Sequence, residues 1–195
     1  MKDLKVMITA VGSPGSATNI RFLKSVEERK LFLIGTDLNH DKIGKHWCDK
    51  FYTVPKGEDE KFIPRLLEII KKEKPDVLFP QSSSEVIPLS QNKDILEKEG
   101  VKVLISSEKA VYEAENKAEL YKSLEGGPVK IPKFRIVNSL SDFLNAVKAL
   151  GYPKTPVCFK PPISKGTRGF RILRDDVSRK LCILCIHVQL YDYPF

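Results

Sequence analysis

No stretch of this chain approaches the ~20 consecutive apolar residues of a membrane-spanning helix, so a membrane partner is not expected. The opening run, MKDLKVMITAVG, is too short and too strand-like for an export signal. A cytoplasmic location with reduced thiols follows as the expectation. Cysteine is scarce, four in 195 residues, as are histidine (three), methionine (two) and tryptophan (one). So few cysteines exclude a disulfide scaffold at this length. His40, His46 and His187 stand in no Ser/His/Asp context, which leaves a triad hydrolase unsupported. Cys182-Ile-Leu-Cys185 followed by His187 offers three metal ligands but no second pair. It lies inside an apolar run and reads as buried thiols, so no metal site and no catalytic residue are assigned. There is neither an internal repeat nor a low-complexity tract.

What is present is an ordinary globular balance, 42% hydrophobic and 30% charged, in a chain long enough for one large domain or two small ones. The net charge of +8 is uneven: 19 basic against 17 acidic groups in residues 1–110, but 8 against 3 in residues 151–195. A polyanionic ligand suits that basic quarter. Nucleic acid is set aside as a partner, because Phe159 and Phe170, the aromatics beside the basic loop, read as core.

Strands are expected at Lys5–Val11, Leu31–Thr36, Phe51–Val54, Val77–Phe79 and Val101–Ile105. Helical patterns lie between them: one with Ile20, Leu23 and Val26 on a face, one over Asp59–Lys74, one over about Ser84–Lys98. This alternation predicts βαβ units and a Rossmann-like parallel sheet over residues 1–106. Residues 107–195 read as a smaller α+β unit. It has helices near Ser106–Glu115 and Ala118–Leu124 and a strand at Phe134–Val137. A helix then runs from a capping-box-like Ser139 to Leu150, before strands at Val157–Lys160 and Phe170–Leu173. The tail from about residue 175 loses its period, with one further strand expected over Leu181–Val188. The fold class is therefore α/β, with the second part read as truncated and the tail as a shifted reading frame.

Open parallel sheets bind ligands at the carboxyl ends of their strands, and four of those ends are polar: Gly12–Ser16, Asp37–Asn39, Gln81–Glu85 and Ser106-Ser107. Gly12-x-x-Gly15 lies between a strand and a helix, where a backbone can approach an anion. Pro14 occupies the central glycine of a dinucleotide fingerprint, and no Tyr-x-x-x-Lys pair is present; nicotinamide binding is set aside. Lys160 ends a strand, and Ser164-Lys165-Gly166-Thr167-Arg168-Gly169 follows, a loop whose N–H groups, hydroxyls and cations suit a polyphosphate. A hairpin with a basic tip is the structural alternative. Lys117 opens a helix 43 residues earlier and by itself means nothing.

Taken in order, KVMITAVGSPGSATNIRFLK, LIGTDLNHDKIGKHWCDKFYTVP, KPDVLFPQSSSEV, ENKAELYKSL and VCFKPPISKGTRGFRIL resemble the N-terminal portion of an ATP-grasp protein. The resemblance is to carbamoyl-phosphate synthase large subunits and to carboxylate–amine ligases such as the pyrrolysine-biosynthesis ligase. It covers residues 4–174. It implies a pre-ATP-grasp domain whose edge, with Gly12, Gly15, Asp37 and Glu85, holds a small carboxylate or amine substrate. It implies ATP on Lys117, Lys160 and the loop residues Ser164, Gly166, Thr167 and Gly169. Mg²⁺ belongs to the family, but its ligands belong to a lobe that nothing after Leu173 resembles. The resemblance thus implies a ligase acting through an acyl phosphate, of which this chain is an incomplete part, inactive alone. The alternative is a non-catalytic nucleotide- or metabolite-binding module that associates with a second copy or a partner chain.

Overall fold

The computed structural model describes residues 2–164 and 168–174, and the backbone of residues 188–192. The chain divides into two compact units, Met1–Val111 and Tyr112–Phe195.

In the first unit the elements run β1 (Leu4–Ile8), α1 (Ser16–Lys24), β2 (Leu31–Asp37), β3 (Lys50–Thr53), α2 (Phe62–Glu73), β4 (Val77–Phe79), α3 (Ser83–Gln91), α4 (Lys93–Glu97), β5 (Lys102–Val103) and α5 (Glu108–Glu115), which runs on into the second unit. All strand pairings are parallel and the order is β3-β2-β1-β4-β5. Both faces are covered. Met7, Ile34 and Leu78 pack under Phe62, Leu66, Ile69 and Ile70 of α2 and Leu89 of α3. Val6, Ile8 and Leu33 pack on the other side with Ile20 of α1. That two-sided burial is why these strands read as near-continuous apolar runs. The chain leaves β1 toward β2 by way of α1 and returns to β4 by way of α2. The carboxyl ends of β1 and β4 therefore flank the point where the strand order reverses.

Two expectations change here. The single helix over Ser84–Lys98 is two helices, α3 and α4, divided at Asn92, whose side chain donates back to the Pro88 carbonyl at 2.9 Å. A 3₁₀ turn at Ile43–Trp47 has no counterpart in the periodicity. It exists because Gly44 lies flat against the Val11 carbonyl; a β-carbon there would come within 2.0 Å of that oxygen.

The second unit contains α6 (Lys117–Leu124), β6 (Phe134–Val137), α7 (Leu140–Ala149), β7 (Val157–Lys160), β8 (Arg171–Leu173) and β9 (Val188–Asp192). Its sheet has the order β6-β9-β7-β8 with antiparallel pairing. Val137, Ala146, Val147, Leu150 and Val157 form its core. The strand expected over Leu181–Val188 meets β9 only at Val188; residues 181–187, with Cys182, Cys185 and His187, lie outside the described residues. β9 pairs on both sides, Arg135 opposite Leu190 and Phe159 opposite Leu190. Among the described residues no helix is long and apolar enough to cross a membrane.

Candidate functional site

At the carboxyl edge of the first sheet, β1 ends in a loop closed on itself. Ala10 adopts φ +47°, Ser16 Oγ donates to the Ala10 carbonyl at 2.7 Å and Ser13 Oγ lies 2.5 Å from Ser16 Oγ. Asp37 ties this loop to β2: Oδ2 accepts the Gly12 N–H at 2.8 Å and Oδ1 the Asn39 N–H at 3.0 Å. At Gly12 a β-carbon would lie 2.5 Å from Lys42 Cδ and 2.9 Å from Asp37 Oδ2, so the Lys42 side chain would have to move aside. Gly15 is different. It caps α1 with φ −79°, and nothing lies within 4 Å of where its β-carbon would be.

Glu85 comes to the same edge from the first turn of α3, whose N-cap Ser82 accepts the Ser84 N–H at 3.3 Å. Its carboxylate accepts a hydrogen bond from the Thr9 hydroxyl. Thr9 Oγ1 in turn accepts the Gln81 N–H at 3.2 Å, and the Asn19 amide donates to the Gln81 side chain. Glu85 is 5% exposed. Burial lifts its pKa to about 7, opposed by the Thr9 hydrogen bond and assisted by the Asp37 charge. Asp37 and Glu85 are thus both at this edge, Glu85 tied to it through Thr9, Gln81 and Asn19; Gln81 closes one of the polar strand ends named from the sequence, whereas Thr9 and Asn19 were not singled out. The available signal was a polar residue closing an otherwise apolar strand.

In the second unit, Asn116 caps α6 by accepting the Ala118 N–H at 3.0 Å and sets Lys117 at the helix start. The Lys117 N–H donates to the Pro162 carbonyl at 2.9 Å. Its ammonium donates to Ser164 Oγ and to the Ser164 carbonyl, both at 3.2 Å. Burial, and then the charge of Lys160, lower the Lys117 pKa. Lys160 Nζ also lies 5.3 Å from the centre of the Phe170 ring. Gly169 closes the loop at φ +77°, where a β-carbon would strike Pro161 Cγ at 2.5 Å. Lys117, Lys160 and Ser164 are therefore brought together, and Gly169 shapes the return to β8. Gly166 and Thr167 lie outside the described residues. This arrangement sets positive charge beside a hydroxyl.

Residues 6–104 match the family described as PylC-like, N-terminal domain. The N-terminal section of the carbamoyl phosphate synthase large chain from Aquifex aeolicus is 30% identical over 127 residues, covering 63% of this chain and 21% of that protein. The large chain from Thermotoga neapolitana is 28% identical over 138 residues, covering 65% of this chain and 12% of its own length. Among solved structures, N5-carboxyaminoimidazole synthetase from Staphylococcus aureus, complexed with ADP, superposes with a TM-score of 0.69 at 17% identity over 97% of this chain and 47% of that one. Biotin carboxylase from Campylobacter jejuni superposes with a TM-score of 0.65 at 14% identity, over 97% and 45%. These two likenesses are of fold. The chain spans about a fifth or less of these curated relatives and under half of these solved chains.

Proposed function

The chain belongs to the PylC-like N-terminal domain family, the N-terminal portion of ATP-grasp proteins, and on that footing we propose that it is the ATP-binding portion of a carboxylate–amine (or ammonia) ligase working through an acyl phosphate. The observation that carries this is that Lys117, whose ammonium donates to Ser164, stands close enough to Lys160 to feel its charge. Two ammonium groups close enough to raise each other's energy are complementary to a polyphosphate, which relieves that repulsion by charge-assisted hydrogen bonds. Lys160 takes the α- and β-phosphates and Lys117 a neighbouring phosphate oxygen. Ser164, Gly166, Thr167 and Gly169 supply the loop over them. Gly12, Gly15, Asp37 and Glu85 form the edge for the acceptor, in a domain that ends near residue 106.

Mg²⁺ would supply charge neutralisation between the phosphates when bound. Among the described residues no three or more His, Cys, Asp or Glu side chains stand together to hold a metal ion. The chain covers 47% of the synthetase it superposes on, which favours a second reading of the same site: a nucleotide-binding module completed by groups beyond these residues or by a partner chain.

Calorimetric titration with ATP tests the proposal. Saturable binding is expected, weakened roughly tenfold or more in Lys160→Ala, as for a lost hydrogen bond to a charged group. Undiminished affinity in a folded Lys160→Ala variant removes the phosphate role.

A further inference from the structure

One buried group of the first unit is satisfied by nothing on its own side of the sheet. Thr36 is 0% exposed, and among the described residues its hydroxyl has no hydrogen-bond partner. The β1–β2 register pairs Met7 with Ile34 and Ile8 with Gly35. One step further it sets Thr9 opposite Thr36. Met7 and Ile34 share one core; since side chains alternate along a strand, Thr9 and Thr36 point to that same face. Thr9 is the residue whose hydroxyl bonds Glu85. Gly57 presses on the Ser84 carbonyl from behind and fixes the start of α3 there. The groups acting on the Glu85 carboxyl are its burial, the Thr9 hydroxyl, the Asp37 charge and the Ser82 N–H; none is cationic. A buried carboxylate and an idle hydroxyl thus flank Thr9 at the point where the strand order reverses, while Asp37, the next residue of β2, acts on Glu85 through its charge.

We infer that Glu85 and Thr36, with Thr9 beside them, form a subsite for a protonated primary amine on the ligand held at this edge. The inference rests on reading the edge as the acceptor site and assigns the cationic end of that acceptor to it. An alkylammonium brings three N–H donors and one positive charge. One N–H meets the Glu85 carboxylate and a second meets Thr36 Oγ1, which ends both deficits at once. A carboxylate or phosphate there would face the Glu85 carboxylate with like charge, so the anionic end of a substrate is refused.

The test uses the 195-residue chain labelled with ¹³C at glutamate carboxyls, with Glu85→Gln identifying the signal. Its pH midpoint is read in sodium chloride and in methylammonium chloride at equal ionic strength. The expected result is a midpoint near 7 in sodium chloride and a lower one in methylammonium, because the cation binds the ionised form. Thr36→Val, which keeps the side chain's shape, should weaken methylammonium binding roughly tenfold, the loss of one hydrogen bond to a charged group. Equal midpoints in the two salts, or a Thr36→Val response equal to the wild type's, overturn the inference. ATP titrated into the same sample reads the nucleotide proposal separately: its failure leaves a midpoint shift intact, and a missing shift leaves nucleotide binding intact.

Discussion

Glu85 and Glu73 are both buried carboxyls of the first unit, 5% and 4% exposed, and their surroundings push them in opposite directions. Hydrogen bonds from Lys50 at 2.7 Å and from the Tyr52 hydroxyl at 2.5 Å hold Glu73 below the ordinary carboxylate range. Its contribution is present above the unfolded value and lost as pH falls. Glu85 has no cation and is lifted to about 7. Its protonated form is favoured by folding, so its contribution is complete below the unfolded value and lost as pH rises through about 7. A shift of this size corresponds to at most about 3 kcal/mol. Urea denaturation should therefore show the wild type losing stability between acidic and mildly alkaline pH, and Glu85→Gln flattening that slope. An unchanged slope in the variant would place the loss elsewhere. Cys48 gives a second readout at this scale: burial pushes its thiol up to about 11. In a variant with the other three cysteines replaced by serine, alkylation near neutral pH should be roughly a hundredfold slower than for a free thiol, in proportion to its thiolate fraction. A rate like that of a free thiol would contradict the burial.

Among the elements, two glycines distinguish close packing from open space. Gly57 touches α3 so closely that a β-carbon would lie 2.3 Å from the Ser84 carbonyl, whereas around Gly15 there is nothing within 4 Å. Gly57→Ala should cost about 1–3 kcal/mol by overpacking and Gly15→Ala less than about 1 kcal/mol, measured by the same denaturation. Equal costs would refute the contact. Strand bounds at Val77–Phe79, Phe134–Val137 and Val157–Lys160 were legible from the chain itself, where proline or polar residues bracket short apolar runs. The break at Asn92 was not, because Asn and Pro88 are tolerated within a helical period and only the side-chain bond to Pro88 ends it. In the candidate site Asp37, Glu85, Lys117 and Lys160 could be named from type and position. Thr9 and Thr36 could not, because a threonine in a strand reads as β-propensity and only the register brings the two side by side.

For the molecule as a whole, the two units have separate cores. The first draws its strands from residues 4–103. A fragment ending at Val111 should melt cooperatively by circular dichroism; a featureless melt would show that it depends on the rest of the chain. The second unit depends on a distant strand: β6 has β9 as its neighbour, and β9 joins it to β7. Removing residues 175–195 should leave the first unit's transition in place while abolishing the second's and, with it, ATP binding. Retention of ATP affinity would show that the Lys117–Ser164 contact survives without β9.

The position of β9 also bears on how the protein is made. Strands of the parallel sheet can assemble as they leave the ribosome, each lying beside one already translated. β6 cannot be fully paired until residue 192 has emerged, so it stays open while about fifty codons are read after Val137, and the flank of β7 while about thirty are read after Lys160. Until then the nascent chain displays unpaired strand edges, the condition in which chaperone engagement matters most.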